Sequence, residues 1–307
     1  MDTREWALVI FTLLSQAAVG AFLTLQVLRS PLAPSGAGAL TPPGPGEGGV
    51  RRAGPSIAVL VVLSAGFFAA LFHLATPLTA VRAVVNFASS WLSREIVFGG
   101  LFAGLLAALV AVEYSGRAFR WHRVLAGATA GAALAFLYSQ IRIYMLPAQP
   151  AWNTLATPAA FSATALRLGI LGVAVGVVAR GIQPDELSRF DAPSWRTLRG
   201  LAAAGIVVLV AELLVLPLQL GSLIGDPSQA AVASAQRLTD DFGWVLVLRL
   251  VLLCIGVAAL GWLLIGQKRP DVHRLARKLT IASFWVVLLS ELCGRFLFYA
   301  TAMRVGI

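Results

Sequence analysis

A few ionisable and phenolic side chains interrupt the long apolar stretches of this chain. His73 and Glu95 flank the connection between two apolar stretches, and Glu291, Arg295 and Tyr299 follow one another at i, i+4 and i+8 near the end. Side chains four residues apart share a helix face, so the last three are expected to line one face. Imidazole and carboxylate groups accept protons from hydroxyls. Such residues suit the oxidation of a lipid-soluble hydroxyl compound, of which a quinol is one.

Two other interpretations of these residues stay open. Ionisable groups inside a bilayer are costly, which makes a functional role the default interpretation. Proton-coupled transporters use the same residue types, so a secondary transporter is one alternative. The other is a structural scaffold without quinol contact, in which Glu212 pairs with Arg249 or Arg167 and other charges pair in the same way.

The composition is that of a polytopic membrane protein. The chain has 307 residues, of which 58% are hydrophobic and 12% charged, and its mean hydropathy is +0.83. Soluble domains carry about 25% charged residues, and a helix needs about 20 apolar residues to cross a bilayer. We predict an all-α integral membrane protein in which residues 1–307 form a single transmembrane domain of eight helices, arranged as two four-helix halves. The predicted spans are Trp6–Leu28, Ser56–Leu74, Glu95–Tyr114, Val124–Leu146, Ala159–Arg180, Gly200–Leu220, Trp244–Gly266 and Leu279–Met303.

Lys and Arg residues are distributed unevenly between the two sets of loops. Fifteen lie in the loops after the first, third, fifth and seventh spans, and five lie on the opposite side. Because cytoplasmic loops are enriched in Lys and Arg, we expect both termini on the periplasmic, outer side of the inner (cytoplasmic) membrane. The loop Ser30–Pro55, rich in Pro and Gly, is then a flexible cytoplasmic segment. Apart from Glu113, the ionisable residues within the spans fall in the outer half.

The composition also argues against several kinds of site. The net charge of +10 comes from basic residues in short loops, which indicates membrane topology rather than nucleic-acid binding. Cys254 and Cys293 are isolated, and His122 and His273 lie in loops, so neither an iron–sulfur cluster nor a haem is expected. We predict no metal site and no catalytic residue of a self-sufficient enzyme here. Electrons taken from a quinol therefore need a partner protein on the outer face.

Several short motifs resemble, in order, those of the membrane anchor subunit of the dimethyl sulfoxide reductase family. His73 to Pro77 is similar to that family's His-Leu-Gly-x-Pro, with Ala75 in place of the usual Gly. Leu92 to Ile96 resembles the Leu-Ser-x-Glu-Ile start of its third span. The other similar segments are the first span from Glu5 with Gln16 and Gly20, Arg142–Tyr144, Trp152 after Pro150, Thr157–Pro158, and Glu291–Tyr299.

The resemblance implies an anchor that binds a four-cluster iron–sulfur subunit, which passes electrons to a molybdopterin catalytic subunit. That family's menaquinol-binding His and Glu correspond to His73 and Glu95, which bind and deprotonate menaquinol or another quinol. The predicted quinol-binding set is completed by residues that position the quinol or stabilise charge: Arg142, Tyr144, Glu291, Arg295 and Tyr299. The family uses no haem in its anchor. Related anchors serve sulfite, tetrathionate and polysulfide enzymes, so an anchor of such a sulfur-compound enzyme is an alternative.

Overall fold

The chain folds almost entirely into helices. The computed structural model describes residues 3–30, 49–72, 84–116, 120–180, 192–226, 228–265 and 272–305. These residues contain no β-strand, which confirms the all-α class. The helices are α1 (Thr3–Arg29), α2 (Gly49–Leu71), α3 (Trp91–Ser115), α4 (His122–Tyr144), α5 (Ala156–Arg180), α6 (Ala192–Ile224), α7 (Gln229–Gln236), α8 (Gly243–Ile265) and α9 (Val272–Ala300).

Eight of the helices in the described part of the chain, all but α7, are long and apolar enough to cross a membrane. A bilayer offers no water to unpaired backbone groups, so long apolar runs satisfy their own hydrogen bonds as helices. The prediction of eight transmembrane helices is confirmed. Between α6 and α8 the chain forms the short helix α7 and one turn of π-helix, Arg237–Asp241.

The eight spans pack as two groups of four. In the first group α1 packs on α2, α2 on α3, and α3 on α4, and α4 contacts α1. The second group consists of α5, α6, α8 and α9, and it is closed by contacts between α9 and α5. The most extensive contact between the groups joins α1 to α5. This arrangement agrees with the predicted division into two four-helix halves.

The contact between α1 and α5 depends on glycine. A methyl group added at Gly20 would overlap the backbone carbonyl of Ala165, and one added at Gly169 would overlap the backbone at Gly20. Small residues let membrane helices approach until their backbones touch, which increases the packing between them. The two four-helix groups are therefore held together along this seam.

The two ends of the bundle differ in charge. We call the end at which α1, α3, α5 and α8 finish the basic end, and its described arginines include Arg29, Arg123 and Arg277. The opposite, far end carries the α4–α5 connection, α7 and the residues that follow α9. Hydrogen bonds join these segments: the backbone N–H of Val305 donates to the carbonyl of Ala148 at 2.9 Å, and that of Met303 donates to Ser234 Oγ on α7 at 3.0 Å.

Three helices, α2, α6 and α9, begin well before their predicted spans, and α9 starts at Val272 instead of Leu279. α2 starts at Gly49, so the last residues of the predicted loop 30–55 are helical, while residues 31–48 lie outside the described part of the chain. Pro55 stands in the second turn of α2, where it removes one backbone hydrogen bond without ending the helix. α6 starts at Ala192, because hydropathy marks the apolar part of a helix and not the polar turns that extend it.

Candidate functional site

Glu95 lies one turn into α3 at the far end, and its side chain is buried, with 8% exposed. Ser90 caps the helix: its Oγ accepts a hydrogen bond from the backbone N–H of Ser93 at 3.3 Å. Arg94 holds the preceding turn by donating from Nε to the carbonyl of Phe87 at 3.0 Å. These contacts fix the first turn of α3 and thereby the position of Glu95.

Two side-chain amides connect Glu95 to α1 and α9. Gln140 hydrogen-bonds to Glu95, and its Nε2 donates to Ser15 Oγ at 2.8 Å. Gln16 donates from Nε2 to Gln140 Oε1 at 3.4 Å and accepts from Arg295 Nη2 at 2.7 Å. All five side chains are buried. A hydrogen-bonded path therefore runs from a carboxylate to a guanidinium through two neutral amides.

A pair of tyrosines lies beside this path. The hydroxyls of Tyr144, at the end of α4, and Tyr299, near the end of α9, are 2.5 Å apart and share a hydrogen bond. Both are near enough to Glu95 to interact with it electrostatically. Trp152 stacks on Phe298 with ring centroids 5.2 Å apart, and its Nε1 donates to the Phe298 carbonyl at 2.7 Å. These aromatic contacts hold the end of α9 against the α4–α5 connection and so position the tyrosine pair.

Arg295 is a buried cation held by neutral groups. Its guanidinium lies 4.0 Å from the ring centroid of Phe161 and 5.7 Å from that of Phe298, within the range of a cation–π interaction. Among the described residues no carboxylate forms an ion pair with it. We call Ser15, Gln16, Glu95, Gln140, Tyr144, Arg295 and Tyr299 the Glu95 network.

Aromatic rings line one side of the Glu95 network. Gly99 follows Glu95 by one helical turn, and a methyl group there would lie 2.9 Å from Phe136 and 3.1 Å from Phe67. Phe11 completes this group, with its ring centroid 6.3 Å from that of Phe67 and 6.4 Å from that of Phe136. These rings therefore pack against α3 one helical turn after Glu95.

The second four-helix group contains a cluster of four charged side chains, Arg167, Glu212, Arg249 and Glu291, which we call the charge cluster. Arg167 is fully buried and forms ion pairs with both carboxylates, its Nη2 lying 2.5 Å from Glu291 Oε1. Arg249 also pairs with Glu212, and Thr164 donates to Glu291 at 2.6 Å. Two cations thus balance two anions, and the pairing of Glu212 with both Arg167 and Arg249 agrees with the structural interpretation of these residues.

The buried carboxylates of the described helices fall into two kinds. Glu113, at the basic end, lies 2.7 Å from Arg29, and Glu212 and Glu291 pair with the arginines of the charge cluster. Glu95 differs, because no described basic side chain forms an ion pair with it and its hydrogen-bond partner is an amide. A buried carboxylate without a cation is costly, which makes Glu95 the strongest candidate for proton chemistry.

The predicted site residues are brought together only in part. Glu95, Tyr144, Arg295 and Tyr299 belong to one network, as described above. Glu291 shares the α9 face with Arg295, as predicted, but its carboxylate contacts the charge cluster. Arg142 is half-buried, and its guanidinium lies 5.1 Å from the ring centroid of Trp91. Trp91 precedes Glu95 by one turn of α3. His73 lies outside the described residues.

The sequence interpretation did not assign Gln16 or Gln140 to the site. Gln16 is part of one of the similar motifs, but Gln140 is part of none. Neither side chain is ionisable, so a search for charged residues inside the apolar spans does not select them. Their presence within apolar spans is nevertheless informative, since an amide there needs a hydrogen-bonding partner and tends to face other helices. The two residues are 124 positions apart, so only the fold shows that they meet.

The described part of the chain contains no set of side chains suited to binding a metal ion. No group of three His, Cys, Asp or Glu residues there could hold a metal ion. Cys254 is exposed and Cys293 half-buried, and both are free thiols. The Glu95 network instead offers hydrogen-bond donors, acceptors and aromatic faces.

The fold and this site define the class as an eight-span helical membrane protein with a polar network buried at one end. Comparison with known proteins gives the family. Residues 1–301 match the model of the DMSO reductase anchor subunit (DmsC), so the chain belongs to that family and is a membrane anchor subunit.

Relatives with curated descriptions cover nearly the whole chain. It is 30% identical to the YnfH chain of an anaerobic dimethyl sulfoxide reductase of Escherichia coli K12, over 99% of this chain and 96% of the relative. It is 27% identical, over the same shares, to the C subunit of the anaerobic dimethyl sulfoxide reductase from the same organism. The C subunit of the Haemophilus influenzae enzyme is 26% identical over 98% of this chain and 96% of the relative. The resemblance in the sequence motifs is thereby confirmed.

Proposed function

We propose that this anchor subunit oxidises a quinol at the Glu95 network and passes the electrons to an iron–sulfur subunit bound at the far end. The observation that carries the proposal is the burial of Glu95 without a described cationic partner. A quinol loses two protons and two electrons when it becomes a quinone. His73 and Glu95 accept the protons, and the iron–sulfur subunit takes the electrons on to a molybdopterin catalytic subunit.

The residues around Glu95 fit an aromatic head group with two oxygens. Phe67 and Phe136 pack edge to face on each other and form an apolar wall one turn along α3 from Glu95. Arg295 is a buried donor that stabilises negative charge on a quinol oxygen as its proton leaves, and the Tyr144–Tyr299 pair both donates and accepts. Gln140 positions the Glu95 carboxylate. The quinol, when bound, supplies the reducing equivalents, and these residues orient it and exchange its protons.

The family and the charge asymmetry support the proposed partners and the proposed location. The chain belongs to an anchor-subunit family, and its relatives are named as chains of anaerobic dimethyl sulfoxide reductases, which supports catalytic and iron–sulfur partner subunits of that type. That the iron–sulfur subunit carries four clusters is what the resemblance of the sequence motifs implies. The Lys and Arg excess at the basic end favours a cytoplasmic position for that end in the inner membrane. The far end, with both termini, is then periplasmic, and the quinol is menaquinol or another membrane quinone. A sulfite, tetrathionate or polysulfide enzyme is the alternative partner.

A transport function is less well supported. Secondary transporters commonly bind substrate where spanning helices are interrupted near the midplane. The most conspicuous helix breaker inside a span here, Pro217, lies within α6, which continues from Ala192 to Ile224. The charge cluster is internally paired, so its carboxylates are occupied by cations of the protein itself.

Replacement of His73 tests the proposed function. In the intact complex, His73→Ala should lower menaquinol-driven reduction by roughly 100-fold or more, the scale of a lost general base, while reduction driven by an artificial dye stays at the wild-type rate. The acceptor is any compound that the wild-type complex reduces with the dye. His122→Ala is the matched control, because His122 lies at the basic end, 3.8 Å from Glu113. Wild-type menaquinol turnover in the His73 variant would contradict the proposal.

A further inference from the structure

A large cleft lies between the two four-helix groups, and none of its described lining residues belongs to the Glu95 network. It has a volume of about 760 Å³, and its lining residues come from α1, α2, α5 and α9. It extends from Leu13 and Leu288, near the middle of α1 and α9, to Leu25 and Ala179 near the basic end. The cleft therefore occupies the half of the bundle that is nearer the basic end.

The described lining of the cleft is apolar apart from one charged residue, so it is complementary to a lipid chain. Its described lining residues are aliphatic or aromatic except for Arg51, in the first turn of α2 at the basic end. Apolar cavities of this kind do not hold ordered water, since they lack polar partners for it. An apolar ligand is the appropriate occupant of the space.

Two glycines keep the α5 side of the cleft open. Within the described part of the chain, a methyl group added at Gly176 would meet no atom within 4 Å, and one added at Gly172 would meet only Phe284, at 3.9 Å. These two positions on α5 differ from Gly20 on α1, where an added methyl group would overlap the backbone of α5. The cleft is thus a space that the side chains of the described residues leave unfilled.

We propose that the cleft binds an anionic phospholipid, with an acyl chain against α1 and α5 and the phosphate at Arg51. Charge complementarity supports this occupant, because Arg51 stands where the apolar surface meets the basic end. Basic pockets between membrane helices on that side bind anionic lipid head groups. The volume also lies within the range of about 300–1,000 Å³ usual for ligand pockets. This site is separate from the Glu95 network and does not depend on the proposed function.

Lipid retention tests the proposal. The full chain is reconstituted in nanodiscs that contain phosphatidylglycerol and phosphatidylcholine, extracted with detergent, and analysed by native mass spectrometry for bound phospholipid. We expect the wild type to retain phosphatidylglycerol in preference to phosphatidylcholine. Gly176→Leu should abolish this retention by filling the cleft. Arg51→Gln should weaken it about fivefold, the effect of losing one basic contact near a lipid phosphate.

Two variants serve as matched controls. Gly131 on α4 also has no atom within 4 Å of an added methyl group but does not line the cleft, so Gly131→Leu should retain lipid like the wild type. Arg123→Gln removes an exposed arginine at the basic end outside the cleft and should also have no effect. Equal retention of the two phospholipids by the wild type would overturn the proposal. So would wild-type retention by Gly176→Leu, or loss of a bound quinone instead of phospholipid in that variant.

Discussion

Glu95→Gln is expected to abolish menaquinol-driven turnover of the complex while the dye-driven reaction continues at the wild-type rate. Glutamine keeps the size of the side chain and can still hydrogen-bond to Gln140, so the packing of α3 is preserved. What it loses is the ability to take a proton from the quinol. General bases contribute roughly 100- to 10,000-fold to rate, which sets the expected loss. Steady-state oxidation of a menaquinol analogue, normalised to assembled complex, measures it.

The control for this experiment is a carboxylate of equal burial at the other end of the bundle. Glu113 is 7% exposed, compared with 8% for Glu95, and it pairs with Arg29 instead of contacting amides. Glu113→Gln should therefore leave menaquinol turnover per assembled complex at the wild-type level. Comparable losses in both variants would show that removing any buried carboxylate disturbs the fold, and Glu95 would then have no special role.

Arg167→Met is expected to destabilise the protein strongly. The side chain is fully buried and forms ion pairs with Glu212 and Glu291 at once. Among the described residues, its removal leaves Glu291 without an ion-pair partner and Glu212 paired with Arg249 alone. Breaking a buried ion pair by removing one partner costs about 3–5 kcal/mol of stability. Thermal unfolding of the purified chain in detergent should show a clearly lower midpoint.

A second substitution distinguishes charge balance from packing. Arg167→Met with Glu291→Gln leaves the pair of Arg249 and Glu212 intact and restores neutrality to the charge cluster. This double variant should recover most of the lost stability. Arg277→Met, at an exposed position of the basic end, should change little. If the double variant is as unstable as the single one, the charge cluster is held by shape rather than by charge balance.

Much of the fold was predictable from the sequence because the bilayer imposes a simple rule. Apolar runs of sufficient length must become helices, so the eight spans could be identified from hydropathy. Hydropathy does not identify polar helical turns or short helices in connections. The polar first turns of α6 extend it beyond its apolar run, and α7 is a short helix capped by Ser228 in a connection.

The candidate site was less predictable. The spacing of residues shows which of them share a face of a helix, but it does not show which other helix packs against that face. Glu291, Arg295 and Tyr299 share a face of α9, as expected. Their partners nevertheless lie on different helices, since Glu291 contacts Arg167 on α5 and Arg295 contacts Gln16 on α1. The rotation and depth of each helix are set by tertiary packing, which one sequence does not reveal.

Photolabelling shows most directly whether a quinone binds at the Glu95 network. The intact complex is irradiated with an azido-menaquinone, and the labelled peptides of this chain are identified by mass spectrometry. We expect labelling of residues 91–99 on α3 and 136–144 on α4, and suppression of that labelling by excess menaquinone. Labelling confined to the cleft, or labelling near Glu95 that excess menaquinone does not suppress, would show that the quinol does not bind at the Glu95 network.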